Sequence, residues 1–120
     1  LYKNEKTLSA TVLELEKLGF TLHMFNNLNT RSFKPTIVNN NPYTGINHLF
    51  QVDCVLIKNF KIINNYEIDN LKKLILILFY SFKSYDLVDY LIRQLDKKYN
   101  QNNIDKFREI FSKLKIQKIY

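Results

Sequence analysis

The chain of 120 residues contains no tryptophan, one cysteine, two glycines and two prolines. Because Cys54 is the only cysteine, no intrachain disulfide can form, and this excludes the class of small secreted proteins that disulfides hold together. Gly19 and Gly45 are too few to build a G-x-G-x-x-G loop, a Walker A loop or the glycine-containing signature of an RRM. No motif therefore predicts a cofactor.

The abundant residues offer an explanation of the basic charge that does not involve a nucleic-acid partner. Asparagine, lysine, isoleucine, phenylalanine and tyrosine supply 60 of the 120 residues, and lysine outnumbers arginine 15 to 3. These five residues have A/T-rich codons, so we infer an AT-rich genome, such as that of an organelle, an endosymbiont, a parasite or a virus. Such a genome favours lysine by itself, so the net charge of +7 is weaker evidence for a nucleic-acid partner than in a balanced sequence.

Two further absences bear on location. No Asn-x-Ser/Thr sequon occurs among the fifteen asparagines, and this agrees with the single cysteine in predicting an intracellular, reducing compartment. The most apolar segment has only nine uncharged residues between Lys73 and Lys83. A membrane span needs about 20 apolar residues, so we predict a buried helix there and no span.

In the N-terminal half, apolar spacing predicts a helix over 7–18, which Thr7 or Ser9 caps and a left-handed Gly19 ends. Alternation then predicts a strand from Phe20 to Phe25 and a polar connector over 26–32. A short strand is expected at 36–38. Asn41 to Thr44 has the residues of a type I turn, with Gly45 left-handed after it. The segment 49–64 predicts a further strand, and Ile62 and Ile63 either begin another strand or lead out of this one.

The C-terminal half predicts three helices, over 67–82, over 87–98 and from a cap at Asn103 onward. Segregated strands and helices favour an α+β fold: an N-terminal helix, a small antiparallel sheet of three or four strands, and three C-terminal helices packed on it. The alternative is an all-α bundle. We expect a single domain over 1–120, made of a helix plus strand (6–25), loop and strands (26–64) and a helical half (65–120).

Residues that could do chemistry are few. His23, His48, Asp53 and Cys54 are the plausible metal ligands, but their spacing lacks the close pairs of a structural zinc site. Apolar neighbours of Cys54 predict an inert thiol rather than a nucleophile. Asp86 and Asp89 share a helix face near a helix start, where the macrodipole favours acids. We therefore predict no metal site, no catalytic residue and no enzyme activity.

The charge distribution carries the functional prediction. From Lys97 to the end, seven bases face two acids, whereas the preceding 96 residues hold eleven bases and nine acids. Codon bias should spread lysine evenly, so this cluster favours contact with phosphates. Tyr43, at the tip of the predicted turn, could contact a partner. The candidate binding residues are Lys97, Lys98, Lys106, Arg108, Lys113, Lys115, Lys118 and Tyr43.

We thus expect a non-catalytic basic module that contacts RNA or DNA phosphates as a subunit of a larger assembly. The alternative is a helical protein-interaction or structural subunit with no nucleic-acid role, which binds a protein partner or forms an oligomer. The helical half is nearly too apolar for a small monomer to bury all of its apolar side chains. The alternative rests on the three side chains that would be left over, Leu76, Ile77 and Tyr80.

Overall fold

A computed structural model describes residues 5–114 of the chain. In this part it contains five helices and a two-stranded antiparallel sheet, so the expected α+β class is confirmed and the all-α alternative is wrong. The expected sheet of three or four strands is corrected to two. In chain order the elements are α1 (Leu8–Lys17), β1 (Phe20–Arg31), β2 (His48–Lys58), α2 (Phe60–Ile63), α3 (Ile68–Tyr80), α4 (Tyr85–Tyr99) and α5 (Ile104–Lys113).

The chain forms two compact units that divide between Asn59 and Phe60. The first unit contains α1 and the β-hairpin, and the second contains the four remaining helices. The packing of the C-terminal helices on the sheet stays a prediction, as does the assignment of a single domain.

Helix α1 begins and ends as its sequence predicts. The Thr7 side chain accepts a hydrogen bond from the backbone amide of Ala10 at 3.2 Å, which satisfies a donor that the first turn leaves unpaired. After the helix, Gly19 has a φ of 89° and its amide donates to the Glu16 carbonyl at 3.0 Å. A left-handed residue here favours glycine because a side chain would be strained.

Strand β1 continues through the segment that the sequence predicted to be a connector. It pairs with β2 from Phe20 opposite Lys58 to Arg31 opposite His48, with irregular register in the asparagine-rich part. Asn27 has a φ of 47°, and its side-chain amide donates to the Asp53 carboxylate of β2 at 2.8 Å. Pairing across the hairpin thus overrides the low strand propensity of asparagine.

The connection between the strands contains two successive tight turns. The expected strand at 36–38 is wrong, because only Val38 forms an isolated bridge, with Asn41. Asn39 and Asn40 between them both have positive φ, at 50° and 57°. The predicted turn at 41–44 is present: the Thr44 amide donates to the Asn41 carbonyl at 3.2 Å.

Gly45 is needed for a reason other than the predicted left-handed backbone. Among the described residues, the glycine with positive φ is Gly19 and not Gly45. A Cβ at Gly45 would overlap the backbone of Thr30 and Arg31 in β1. The loop therefore packs directly against the strand, and only glycine leaves room for that contact.

The helical unit holds most of the buried apolar side chains. Ile62 and Ile63 belong to the short helix α2 rather than to a further strand, and Ile63 is almost fully buried. The three predicted helices are present as α3, α4 and α5, with Ser84 and Asn103 at the N-cap positions of the last two. Their buried side chains are Leu71, Ile75, Leu78, Val88, Leu91, Ile92, Leu95, Phe107 and Phe111.

Candidate nucleic-acid interface

Five of the predicted cations lie at the end of α4 and along α5. We call Lys97, Lys98, Lys106, Arg108 and Lys113 the basic cluster, and all five are exposed. Lys115 and Lys118 lie outside the described residues. The two helices pack on one another within the helical unit, so the basic cluster belongs to one body.

Asp96 fixes the junction between these two helices. Its carboxylate accepts hydrogen bonds from the amides of Asn103 and Ile104 at the start of α5. Partial burial of the Asp96 carboxyl raises its pKa, but these backbone bonds and the Asn103 side-chain bond outweigh that effect, so the pKa is lowered overall. The carboxylate is thus ionised, and it is hydrogen-bonded to the first backbone amides of α5.

The acids within α5 are also engaged. Glu109 pairs with Lys113 at 2.8 Å, one turn further along the helix, and Asp105 accepts from the Asn102 side chain at 2.9 Å. The charge of Lys113 is therefore largely balanced by Glu109. Exposed pairs of this kind contribute only a few tenths of a kcal/mol, so a phosphate could replace Glu109 as the partner of Lys113 at small cost.

Lys98 has a position that its sequence did not indicate. Its ammonium donates to the backbone carbonyls of Asn64 and Tyr66, at 3.4 Å and 3.1 Å, and lies 5.5 Å from the centre of the Tyr99 ring. These contacts join the C-terminal end of α4 to the α2–α3 connection. A groove of about 330 Å³ opens at this junction.

Tyr43 lies at the hairpin tip, where the sequence predicted it, and its side chain is 71% exposed. The guanidinium carbon of Arg31 lies 5.3 Å from the centre of the Tyr43 ring and 4.7 Å from that of Phe50. The same guanidinium donates to the Tyr43 carbonyl at 2.6 Å. Arg31 therefore holds the loop against the strands by both polar and cation–π contacts.

A second aromatic pair lies beside Arg31. The rings of Phe33 and His48 are 4.7 Å apart, and Phe33 is 72% exposed. Sequence reasoning missed Arg31, Phe33 and Phe50 as possible binding residues. A signal was present, because the chain has no acidic residue between Leu18 and Val52 and the tip is therefore free of negative side chains.

The residues considered for metal binding and catalysis have other surroundings. Within residues 5–114, no three His, Cys, Asp or Glu side chains lie close enough together to hold a metal ion. Asp53 accepts from Asn27, and Cys54 is a free, half-buried thiol in β2. Asp89 forms an ion pair with Arg93 at 2.7 Å.

In the same described part, no helix combines the length and the apolar composition that crossing a membrane requires. Comparison with known proteins adds no relative: no family model, curated protein or solved structure matches this chain.

Proposed function

We propose that this chain is a non-catalytic module that binds RNA or DNA, mainly through phosphates, as a subunit of a larger assembly. The observation that carries the proposal is that the acidic side chains near the basic cluster already have hydrogen-bond or ion-pair partners within the protein. Asp96 binds the amides of α5, and Asp105 and Glu109 have partners on or next to that helix. Lys97 and Lys106 are exposed, and neither of them is the partner of these three acids, whereas Lys113 pairs with Glu109.

The spacing of two lysines on α5 suits contact with a phosphate backbone. Lys106 and Lys113 are two turns apart on one face of α5, about 10 Å along its axis. Such a separation lets one helix face contact more than one phosphate of a strand, and each neutralised phosphate releases counterions. Contacts of this kind position a nucleic acid without reading its sequence.

The hairpin tip offers a second type of contact. Tyr43 and Phe33 are both largely exposed, and the Tyr43 ring lies beside the Arg31 guanidinium. An unpaired base stacks on an exposed aromatic ring with about 1–3 kcal/mol of binding free energy. We therefore expect single strands to bind more tightly than duplexes with the same number of phosphates.

A salt titration tests the proposal. We expect fluorescence anisotropy to show binding of a labelled oligonucleotide at about 50 mM salt, weakening linearly on a logarithmic plot as salt increases. The double variant K97Q/K106Q should reduce the slope of that plot by about 1–2, since each lysine that contacts a phosphate contributes about one unit. The control K17Q removes an exposed lysine of α1 and should leave the slope unchanged. No binding at low salt would overturn the proposal.

A second candidate function is supported by the exposed face of α3. Leu76, Ile77 and Tyr80 are more than half exposed, and Lys72 and Lys73 lie one turn before them. An apolar stripe flanked by cations fits an apolar partner segment that carries acidic residues. Under this alternative, the variant L76Q/I77Q should lose the binding of a hydrophobic dye that the wild type shows. A wild type that binds no such dye would remove this candidate.

A further inference from the structure

The connection between β1 and β2, together with the start of β2, carries a group of exposed apolar side chains. Each of them is more than half exposed, although large apolar side chains are the ones that folding usually buries. We call this group the apolar tip, and its members are Phe33, Ile37, Tyr43, Ile46 and Phe50.

Four members of the apolar tip are linked through Arg31. The guanidinium carbon of Arg31 lies 5.3 Å from the ring centre of Tyr43 and 4.7 Å from that of Phe50. A groove of about 290 Å³ beside Arg31 is lined by Phe33 and Ile46 as well. These side chains therefore form one patch rather than isolated exposed residues, and a patch of this kind marks an interaction site.

The loop is exposed on more than one side, because none of the residues over 33–50 is buried. Its backbone is nonetheless paired within the loop. The amides of Thr36, Asn41 and Thr44 each donate to the carbonyl three residues earlier, at 2.9–3.2 Å. Paired backbone groups cost less to move out of water than unpaired ones. A fluid bilayer surrounds such a segment on several sides, whereas a folded partner covers one.

The charge of this segment fits an anionic surface. Residues 19–52 include no acid, whereas Arg31 contacts the apolar tip and Lys34 follows its first member in sequence. Anionic headgroups attract basic residues that lie close to the membrane surface, and aromatic rings are enriched at the same depth. Asn39 and Asn40 at the turn are polar, so we expect the tip to reach the headgroup region and not the centre of the bilayer.

We propose that the apolar tip inserts into the headgroup region of an anionic lipid bilayer, with Arg31 and Lys34 at the level of the lipid phosphates. Its apolar side chains then leave water at the boundary with the acyl chains, which favours binding in proportion to the area that they bury. The inference goes beyond the proposed function, which is carried by the basic cluster of α4 and α5. Stacking of bases uses the rings of the apolar tip, whereas insertion also uses Ile37 and Ile46.

Insertion is tested with a tryptophan reporter, because the chain has no tryptophan of its own. The variant F33W keeps an aromatic ring in the apolar tip, and vesicles of phosphatidylcholine and phosphatidylserine at about 3:1 provide the anionic surface. We expect its emission to shift to shorter wavelength on vesicle binding and to be quenched by lipids brominated in their acyl chains. The matched reporter Y80W replaces a similarly exposed ring on α3 and should show neither effect.

A pair of double variants tests the aliphatic contribution. We expect I37Q/I46Q to weaken vesicle binding about tenfold or more, since two apolar side chains no longer gain from leaving water. It should leave oligonucleotide binding unchanged. The control L76Q/I77Q changes two apolar side chains of similar exposure on α3 and should leave vesicle binding unchanged. Far-UV circular dichroism checks that each variant is folded.

A single lysine tests the electrostatic contribution. We expect K34Q to weaken binding to the anionic vesicles about threefold to fivefold, because a basic residue near the surface gains from the negative headgroups. The control K17Q changes an exposed lysine of α1 and should have little effect. Equal binding by the two variants would overturn the preference for an anionic bilayer.

The outcomes separate insertion from simple adsorption of a basic protein. Vesicle binding without a change in F33W emission would mean that the net charge of +7 holds the chain on the surface, and it would overturn the inference. An equal loss of vesicle binding in I37Q/I46Q and L76Q/I77Q would overturn it as well. Oligonucleotide binding without insertion would keep the proposed function and overturn the inference, whereas insertion without oligonucleotide binding would do the reverse.

Discussion

The Asp96 carboxylate of α4 holds Asn103, the residue at the N-cap of α5, through three hydrogen bonds. The backbone amide of Asn103 donates to its two oxygens at 2.9 Å and 2.8 Å, and the side-chain amide donates at 2.9 Å. The amide of Ile104 adds a fourth bond at 2.9 Å. A residue of the preceding helix therefore caps α5 and joins the first turn of α5 to α4.

Replacing Asp96 with Asn should destabilise the helical unit. The amide retains the shape of the carboxylate but loses its charge and one acceptor, so we expect a loss of about 1 kcal/mol in the free energy of unfolding. Urea denaturation followed by far-UV circular dichroism measures it. The control D105N changes an exposed acid of the first turn of α5 and should cost about 0.5 kcal/mol or less. Equal losses in the two variants would contradict the capping role.

Stability should also depend on the protonation of Asp96. Burial raises the pKa of this carboxyl, and the stronger effect of the hydrogen bonds from Asn103 and Ile104 lowers it overall. The unfolded chain, with an aspartate pKa of about 3.9, then takes up the proton first as pH falls. The contribution of Asp96 is therefore present above about pH 4 and lost as pH falls through the lower pKa of the folded state. Urea midpoints between pH 7 and pH 3 should converge for wild type and D96N.

Gly45 should tolerate no side chain. A Cβ there overlaps the backbone of Thr30 and Arg31, which β2 holds in place, so we expect G45A to destabilise the hairpin by about 2 kcal/mol or more. The comparison is G19A, in which an alanine adopts a φ of 89° at a cost of about 1 kcal/mol. Amide hydrogen exchange of β1 and β2 reports the difference. Wild-type protection of G45A would show that the loop moves away without cost.

Two adjacent residues of α3 should differ strongly in the stability that is lost when they are truncated. Leu78 is 1% exposed and Ile77 is 51% exposed. We expect L78A to reduce the free energy of unfolding by about 2–5 kcal/mol, because it leaves a cavity among packed side chains. The neighbouring I77A should reduce it by less than about 1 kcal/mol. Thermal denaturation of both variants compares them, and a large effect of I77A would mean that this face of α3 is covered.

Tyr43 should contribute to binding rather than to folding. Its exposed ring makes one contact with Arg31, and loss of an exposed cation–π contact costs about 0.5–1 kcal/mol. We expect Y43A to keep the wild-type melting temperature within a few degrees and to weaken binding of a single-stranded oligonucleotide by about fivefold or more. The variant Y80A removes a tyrosine of similar exposure on α3 and should not affect oligonucleotide binding. Unfolding of Y43A would place Tyr43 in the core and remove it from the candidate site.

Helices were predictable where packing follows their periodicity. The stripe of Val88, Leu91, Ile92 and Leu95 is buried as its spacing indicated, because an amphipathic helix has one way to hide such a face. In α3, Leu71, Ile75 and Leu78 are likewise buried, and Leu76 is exposed, as expected for a side chain that the helical half could not cover.

The extent of the hairpin, in contrast, could not be predicted from the local sequence. Local propensity placed the end of β1 near Phe25, but the strand continues to Arg31, because strand formation depends on a partner distant in sequence. The pairing of the two strands also brings Arg31 beside Tyr43 and Phe50. These three residues are far apart in sequence, so no local pattern predicts that they form a cluster.

The sequence was enough to predict the excess of cations after Lys97, a left-handed Gly19 after α1 and the lack of phosphate-loop motifs. These properties depend on residue type or on neighbours within one or two turns. Tertiary structure alone decided that Asp96 caps α5, that Lys98 binds the carbonyls of Asn64 and Tyr66, and that Gly45 contacts β1. Each of these contacts joins elements whose approach is set by the burial of apolar side chains elsewhere, and this is a global property of the folded chain.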